Sequence, residues 1–185
     1  MRIISGKFKG HQLISFQASH IRPTTDRVKE SLFNILRDFI ENSKILDLFS
    51  GTGNLGIESI SRDAKEVFFV ELNKKSIEII KRNFDKLKIT SNFKLIPSDA
   101  LKFLEKYNDE PFDIIFADPP FTEEMADEVM EIASKSKAFG DHTIMAIESA
   151  KREKIQDTYS NNVVLKDRRF FGDKVLSFYH KKSLT

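Results

Sequence analysis

Lys44-Ile45-Leu46-Asp47-Leu48-Phe49-Ser50-Gly51-Thr52-Gly53 decides the fold. A short apolar run ends abruptly in two glycines, and an apolar-periodic segment to Ser61 follows, so the stretch reads as strand, tight loop and helix. Working outward, the same alternation recurs: Glu66–Glu71 as a strand and Lys74–Leu87 as a helix, then Phe93–Ile96 and Ala100–Lys106. Phe112–Ala117 precedes a helix over Thr122–Ser136, and His142–Glu148 is the fifth strand of the series. Strands separated by single helices require right-handed crossovers, which build an α/β fold with a parallel sheet covered on both faces. Asn162–Arg169 and Lys174–His180 have only Phe170-Phe171-Gly172-Asp173 between them and are expected to pair as an antiparallel hairpin.

The N-terminal side differs. Arg2–Ser5 and His11–Ser15 read as two short strands around Gly6-Lys7-Phe8-Lys9-Gly10, a basic β-hairpin whose lysines suit phosphate and whose Phe8 suits stacking on a base. The polar stretch Arg22-Pro23-Thr24-Thr25-Asp26 follows. Thr24 or Thr25 caps a helix expected to run through Val28, Leu32, Ile35, Leu36, Phe39 and Ile40.

At 185 residues the chain is about one domain, residues 1–20 forming the basic arm and 21–185 the core. With no Cys, disulfides and thiolate metal sites are excluded, and no metal is expected. No apolar run reaches the ~20 residues of a membrane helix and the N-terminus lacks a signal peptide, so a cytoplasmic protein without membrane association is expected. Without a long heptad or an exposed apolar stripe, a monomer is expected. The net charge of +2 is uneven: residues 1–30 carry +4, 31–150 carry −7 and 151–185 carry +5. Basic ends around an acidic middle fit a polyanion gripped by the termini, with carboxylate chemistry between them.

Two places carry the chemistry. In the first, Gly51-x-Gly53-x-x-Gly56 has Glu71 20 residues after Gly51 and matches a dinucleotide fingerprint. However, Asp47 lies just before the glycines, Glu71 closes the second strand and Asp99 follows the third; three carboxylates at successive strand ends suit a positively charged adenosyl ligand better than a pyrophosphate. Asp99 also suits a helix N-cap. In the second, Asp118-Pro119-Pro120-Phe121 ends the fourth strand. The prolines fix φ and remove two donors, leaving a carboxylate, backbone carbonyls and an aromatic ring, a clamp for an amino group on a flat base. The same tetrapeptide also serves as an ordinary strand-to-helix turn.

In this order, the glycine loop, Glu71, Asp99 and Asp118-Pro119-Pro120-Phe121 resemble the class I S-adenosylmethionine-dependent amino-methyltransferases. Arg2-Ile3-Ile4-Ser5-Gly6, the stretch from Ile21 to Asn34 and the segment from Phe171 to Tyr179 narrow the resemblance to the bacterial 16S ribosomal RNA guanine-N2 methyltransferases of the RsmD family, essentially end to end. The resemblance implies a Rossmann-like seven-stranded sheet, mostly parallel with its last strand antiparallel. It implies S-adenosylmethionine contacts at Asp47, Ser50, Gly51, Gly53, Glu71, Asp99 and Ala100, with Arg22 and Thr24 near the methionine end or the entering base. Asp118, Pro119 and Phe121 become the catalytic target-amine site. Arg2, Lys7, Phe8, Lys9 and Arg22 become RNA contacts, and the substrate a guanine of the small ribosomal subunit, on an assembled or assembling particle. One departure is Ser149 after Glu148, where many relatives carry His. Other readings remain open at this stage: adenine N6 or another exocyclic amine in RNA or DNA, an NAD-dependent oxidoreductase built on the glycine fingerprint, and a non-catalytic RNA-binding module.

Overall fold

The structure, a computed structural model, describes residues 1–15, 26–121 and 123–182. The elements are α1 (Asp26–Ile35), β1 (Lys44–Leu48), α2 (Asn54–Ser61), β2 (Glu66–Glu71), α3 (Lys74–Leu87), β3 (Phe93–Pro97), α4 (Ala100–Lys106), β4 (Phe112–Ala117), α5 (Ala126–Lys135), β5 (Phe139–Ala150), β6 (Val163–Phe171) and β7 (Lys174–Lys181). The strands form one sheet in the order β3-β2-β1-β4-β5-β7-β6. β1 to β5 pair in parallel, and β7 is antiparallel to both of its neighbours. This is the expected class I methyltransferase architecture, with the chain's final strand running against the rest.

The strands are apolar on both faces because both faces are covered. Successive residues point oppositely. Ile45, Val67, Phe69, Ile114 and Phe116 pack with α1, α2 and α3, while Leu46, Leu48, Phe68, Val70 and Ile115 join Leu104 of α4 and Val129, Met130 and Ala133 of α5. Asn73 caps α3 by accepting from the amides of Lys75 and Ser76, at 2.9 and 3.2 Å, which fixes where β2 hands over to its helix.

Two helix boundaries depart clearly from the sequence reading. α1 ends at Ile35, and Arg37–Phe39 tighten into a 3₁₀ turn. The narrower turn, about three residues per revolution, carries Ile40 onto the core and leaves Phe39 exposed. α5 starts at Ala126 instead of Thr122, because the Pro120 carbonyl accepts from the Glu123 amide at 3.0 Å and the chain completes that turn first. Thr122 itself and the Thr24 and Thr25 caps lie outside the described residues.

The N-terminal arm is also more tightly held than a free hairpin. Among the described residues, its two sides share one bridge, Arg2 with Gln12. Around that bridge the Ile3 amide donates to the His11 carbonyl and the Leu13 amide to the Met1 carbonyl, both at 3.0 Å. Other amides bond to the core: Ile4 and Ser5 donate to the Glu58 carboxylate at 2.8 and 3.0 Å, and Phe8 donates to Ser61 Oγ at 3.0 Å. Glu58 is fully buried and also meets Lys29 at 2.9 Å and Arg62 at 2.9 Å. Lys29 in turn donates to the Arg2 carbonyl at 2.6 Å and to Asn54 Oδ1 at 2.9 Å. These mutually satisfied groups staple the arm to α1 and α2.

Candidate active site

β1 and β4 are neighbours in the sheet, yet the chain leaves β1 toward β2 on one side and reaches β4 only after β3. Leu48 lies opposite Ala117, so the glycine loop and Asp118 leave adjacent strand ends at the point where the strand order reverses. Open α/β sheets hold their ligands in the crevice at such points.

The loop is built from unusual backbone. Phe49, Gly51 and Gly53 all have positive φ, at 58°, 55° and 78°. Phe49 in that region is costly for a bulky residue, and it lets the chain turn directly off β1. Ser50 closes the loop: its hydroxyl is shared between the carbonyls of Asp47, at 2.6 Å, and Val70, at 3.2 Å. Gly56 lets α2 lie against the sheet, since a Cβ there would stand 2.2 Å from the Phe69 ring and 3.0 Å from Asp47 Oδ2.

The expected carboxylates occupy this edge in different ways. Glu71 Oε2 accepts from the Gly51 amide and Oε1 from the Asn73 amide, both at 2.7 Å, so the side chain clamps the loop while each oxygen keeps a second lone pair. Asp99 caps α4 through a 2.9 Å bond from the Lys102 amide, with Ala100 buried as the first helical residue. The Ser98 amide donates to the Glu71 carbonyl at 3.2 Å, which ties the ends of β2 and β3 together. Asp47 is only 2% exposed and accepts from the Gly56 amide at 2.9 Å. Burial pushes its carboxyl up to about 8, with the Gly56 bond opposing and the charges of Asp118 and Glu71 adding to the rise. Asp47 therefore carries a proton near neutrality.

Beyond the loop lies a cleft lined by Asp118, Pro119, Phe121, Glu148, Glu153 and Lys174. Pro119 is buried, Asp118 half-buried and Phe121 40% exposed. The Arg152 guanidinium sits 5.4 Å from the centre of the Phe121 ring and pairs with Glu124. Glu153 accepts from the first amide of α5. Lys174 Nζ meets Glu148 Oε2 at 2.7 Å. Burial alone would lower the Lys174 pKa, but the carboxylates of Asp118 and Glu148 outweigh it and raise it.

Several expected site residues are thus gathered at one edge: Asp47, Ser50, Gly51, Gly53, Glu71, Asp99, Ala100, Asp118, Pro119 and Phe121. Others are not. Lys7 and Phe8 dock on Ser61, the last residue of α2, at the far end of that helix from the glycine loop, and Lys9 closes the same turn through its amide bond to the Gly6 carbonyl. Phe8, expected as a stacking surface, packs half-buried against the core. Lys7 pairs with Asp63 at 3.8 Å and Arg2 with Asp26 at 3.2 Å. Arg22 and Thr24 lie outside the described residues. Among the described residues, no cluster of three or more His, Cys, Asp or Glu is placed to hold a metal ion, and no helix is long and apolar enough to cross a membrane.

Sequence reading missed Glu148 and Lys174. Glu148 closes the strand expected from sequence at His142–Glu148, as the other carboxylates close theirs, which was an available signal, although β5 itself runs on to Ala150. Lys174 carries no local mark, because only the pairing of β7 with β5 brings it to the cleft.

A family model described as Conserved hypothetical protein 95 matches residues 1–180. Ribosomal RNA small subunit methyltransferase D of Haemophilus influenzae is 36% identical over 170 residues, covering 91% of this chain and 88% of that one. The protein of the same name in Escherichia coli is 34% identical over 149 residues, 80% and 74% of the two chains. A solved Escherichia coli structure bearing a provisional methyltransferase name superposes with a TM-score of 0.87 at 30% identity, covering 100% of this chain and 99% of that one.

Proposed function

The chain belongs to the RsmD family of methyltransferases, and from that premise we propose that it uses S-adenosylmethionine to methylate the exocyclic N2 amine of a guanine in small-subunit ribosomal RNA. The observation that carries this reading is the adjacency of the glycine loop and Asp118-Pro119-Pro120-Phe121 at the β1–β4 switch point.

The edge has the right chemistry for the cofactor. Gly51 and Gly53 keep the loop bare of side chains, the spare lone pairs of Glu71 suit two ribose hydroxyls, and Asp99 suits an adenine amine. The carboxylates of Glu71, Asp99 and Asp118, after β2, β3 and β4, give the negative potential that a cationic sulfur favours, while protonated Asp47 adds none near neutrality. When bound, S-adenosylmethionine supplies a methyl group on that sulfur.

Guanine N2 is a weak nucleophile because its lone pair is delocalised into the ring. The Asp118 carboxylate and the Pro119 carbonyl accept its two N–H bonds, which lets the nitrogen pyramidalise and turn its lone pair toward the methyl. Transfer of the methyl group to the amine, with the departing sulfur keeping the bonding electrons, would build positive charge on nitrogen. The bond to Asp118 then strengthens in the transition state, so it lowers the barrier selectively. Holding amine and methyl in line supplies much of the remainder. The excess proton leaves toward Asp118. A base extruded from its stack needs a new partner, and the exposed ring of Phe121 provides one.

For the RNA backbone, the basic ends remain the contacts proposed, with a different emphasis from the sequence. Arg27 at the start of α1 and Arg169 of β6 line one groove, and Phe170 beside Arg169 is 63% exposed. Phe171, which lines the same groove, lies opposite Lys174 of the cleft, whereas Lys7 docks on Ser61 at the far end of α2, so contact by the Lys7–Lys9 turn would be peripheral.

Incubating the protein with labelled cofactor and small ribosomal subunits from cells that lack it, then mapping the label, tests the proposal. One modified guanine, methylated at N2, is expected. Label on an adenine, or binding of NAD in preference to S-adenosylhomocysteine, would refute it.

A further inference from the structure

Three neighbouring strands deliver one polar side chain each to the cleft. Asp118 follows β4, Glu148 lies on β5 and Lys174 opens β7, and these strands are consecutive in the sheet. Glu148 lies opposite Leu176 and Lys174 opposite Ala150, so the two residues share one face as a diagonal cross-strand pair, closed by the 2.7 Å ion pair. Glu148 is only 5% exposed. An ion pair so far from water gains little stability over an apolar pair of the same shape, so stability alone is a poor reason for its presence. Across the edge the chemistry runs acceptor, acceptor, donor.

We propose that Glu148 and Lys174 read the target base as guanine; this rests on the amine-transfer reading of Asp118. With the N2 amine on Asp118, the next group on the guanine edge is N1–H, a donor that faces the Glu148 carboxylate. The one after that is O6, an acceptor that faces the Lys174 ammonium. The resting ion pair opens to admit the base and both charges are met again by its edge. Adenine, placed with its N6 amine on Asp118, turns the N1 lone pair against Glu148 and offers Lys174 only a C–H. Cytosine, placed by N4, sets its N3 lone pair against the same carboxylate. A site that leaves buried charges unmatched rejects such bases strongly, because the loss falls on desolvated groups.

The test uses small subunits reconstituted with RNA bearing either guanine or 2-aminopurine at the methylated position. 2-Aminopurine keeps the amine but lacks O6 and N1–H. Single-turnover transfer by the unaltered protein is expected to be about 100-fold or more slower on 2-aminopurine. In the double variant Glu148→Gln/Lys174→Met, which removes both charges together, guanine transfer is expected to fall until the two RNAs differ by less than about fivefold. S-adenosylhomocysteine affinity, measured by calorimetry, should stay within about threefold and reports an intact fold and cofactor edge. Equal rates on the two RNAs with the unaltered protein, or full discrimination kept by the variant, would overturn the base-reading role while leaving amine transfer standing. No transfer to guanine by the unaltered protein would sink the underlying reading and this role with it.

Discussion

The glycine edge and the target cleft lie side by side, but they are built on opposite principles. At the glycine edge polar groups are largely consumed by the protein itself: Glu71 holds two amides, Asp47 a third and Asp99 a helix end. The cleft instead gathers charges on separate strands around an opening, with the Glu148–Lys174 pair and Asp118 facing the same space. The difference is that of a rigid cradle, which selects by shape and potential, and a row of groups that selects by matching hydrogen bonds. Each region is therefore expected to fail in its own way when altered.

The largest effect is expected from Asp118→Ala. Transfer should fall roughly 10²-fold or more, by analogy with other electrostatic stabilisers, while cofactor affinity measured by calorimetry is nearly unchanged. If affinity were lost and residual transfer stayed fast, the separation of the two regions would break. Glu71→Ala should give the reverse signature. Freeing the Gly51 and Asn73 amides and losing the ribose partner should weaken cofactor binding about tenfold or more, with the rate at saturating cofactor close to normal. Loss of rate without loss of affinity would place Glu71 in the chemistry instead.

Gly56→Ala probes the cradle's packing. Its Cβ would meet Phe69 at 2.2 Å and needs α2 to shift off the sheet, so urea unfolding should show a loss of roughly 1–3 kcal/mol. An unchanged midpoint would mean that α2 moves freely, contrary to a rigid cradle.

Asp47 offers the smallest effect at pH 5 and the most specific dependence on pH. Its folded pKa, pushed up to about 8, is above the ordinary carboxyl value of 3.8. Between those values the fold keeps a proton that the unfolded chain has released, so the contribution of Asp47 to stability declines as pH rises from about 4 to about 8. Asp47→Asn should change stability by less than about 1 kcal/mol at pH 5 and should flatten the decline above it. Parallel pH profiles for the two proteins would show Asp47 to be ionised in the fold.

How much of this was legible in the sequence follows from the range of each interaction. β2, α3, α4 and β4 begin and end where their apolar periodicity and caps place them. The glycine loop reads well because Asp47, its glycines and Glu71 lie within one βαβ unit. The cleft is spread over residues 118, 148 and 174, and its pairing depends on β7 inserting between β5 and β6, which no local pattern encodes. The arm misled for a related reason: Lys7, Phe8 and Lys9 look like a free basic turn until Glu58 and Ser61, more than fifty residues away, are seen to hold its backbone. α1 overran because Leu36, Phe39 and Ile40 continue a helical period that the 3₁₀ turn breaks.

The central claim, that the cradle holds the cofactor and aims it into the cleft, is tested most directly by a crystal structure with S-adenosylhomocysteine. The expected result is the ribose on Glu71, the adenine toward Asp99 and the sulfur facing Asp118 and Phe121 across the β1–β4 switch point. An adenine ring seated in the cleft between Phe121 and Lys174, or a ligand bound away from the glycine loop, would contradict it.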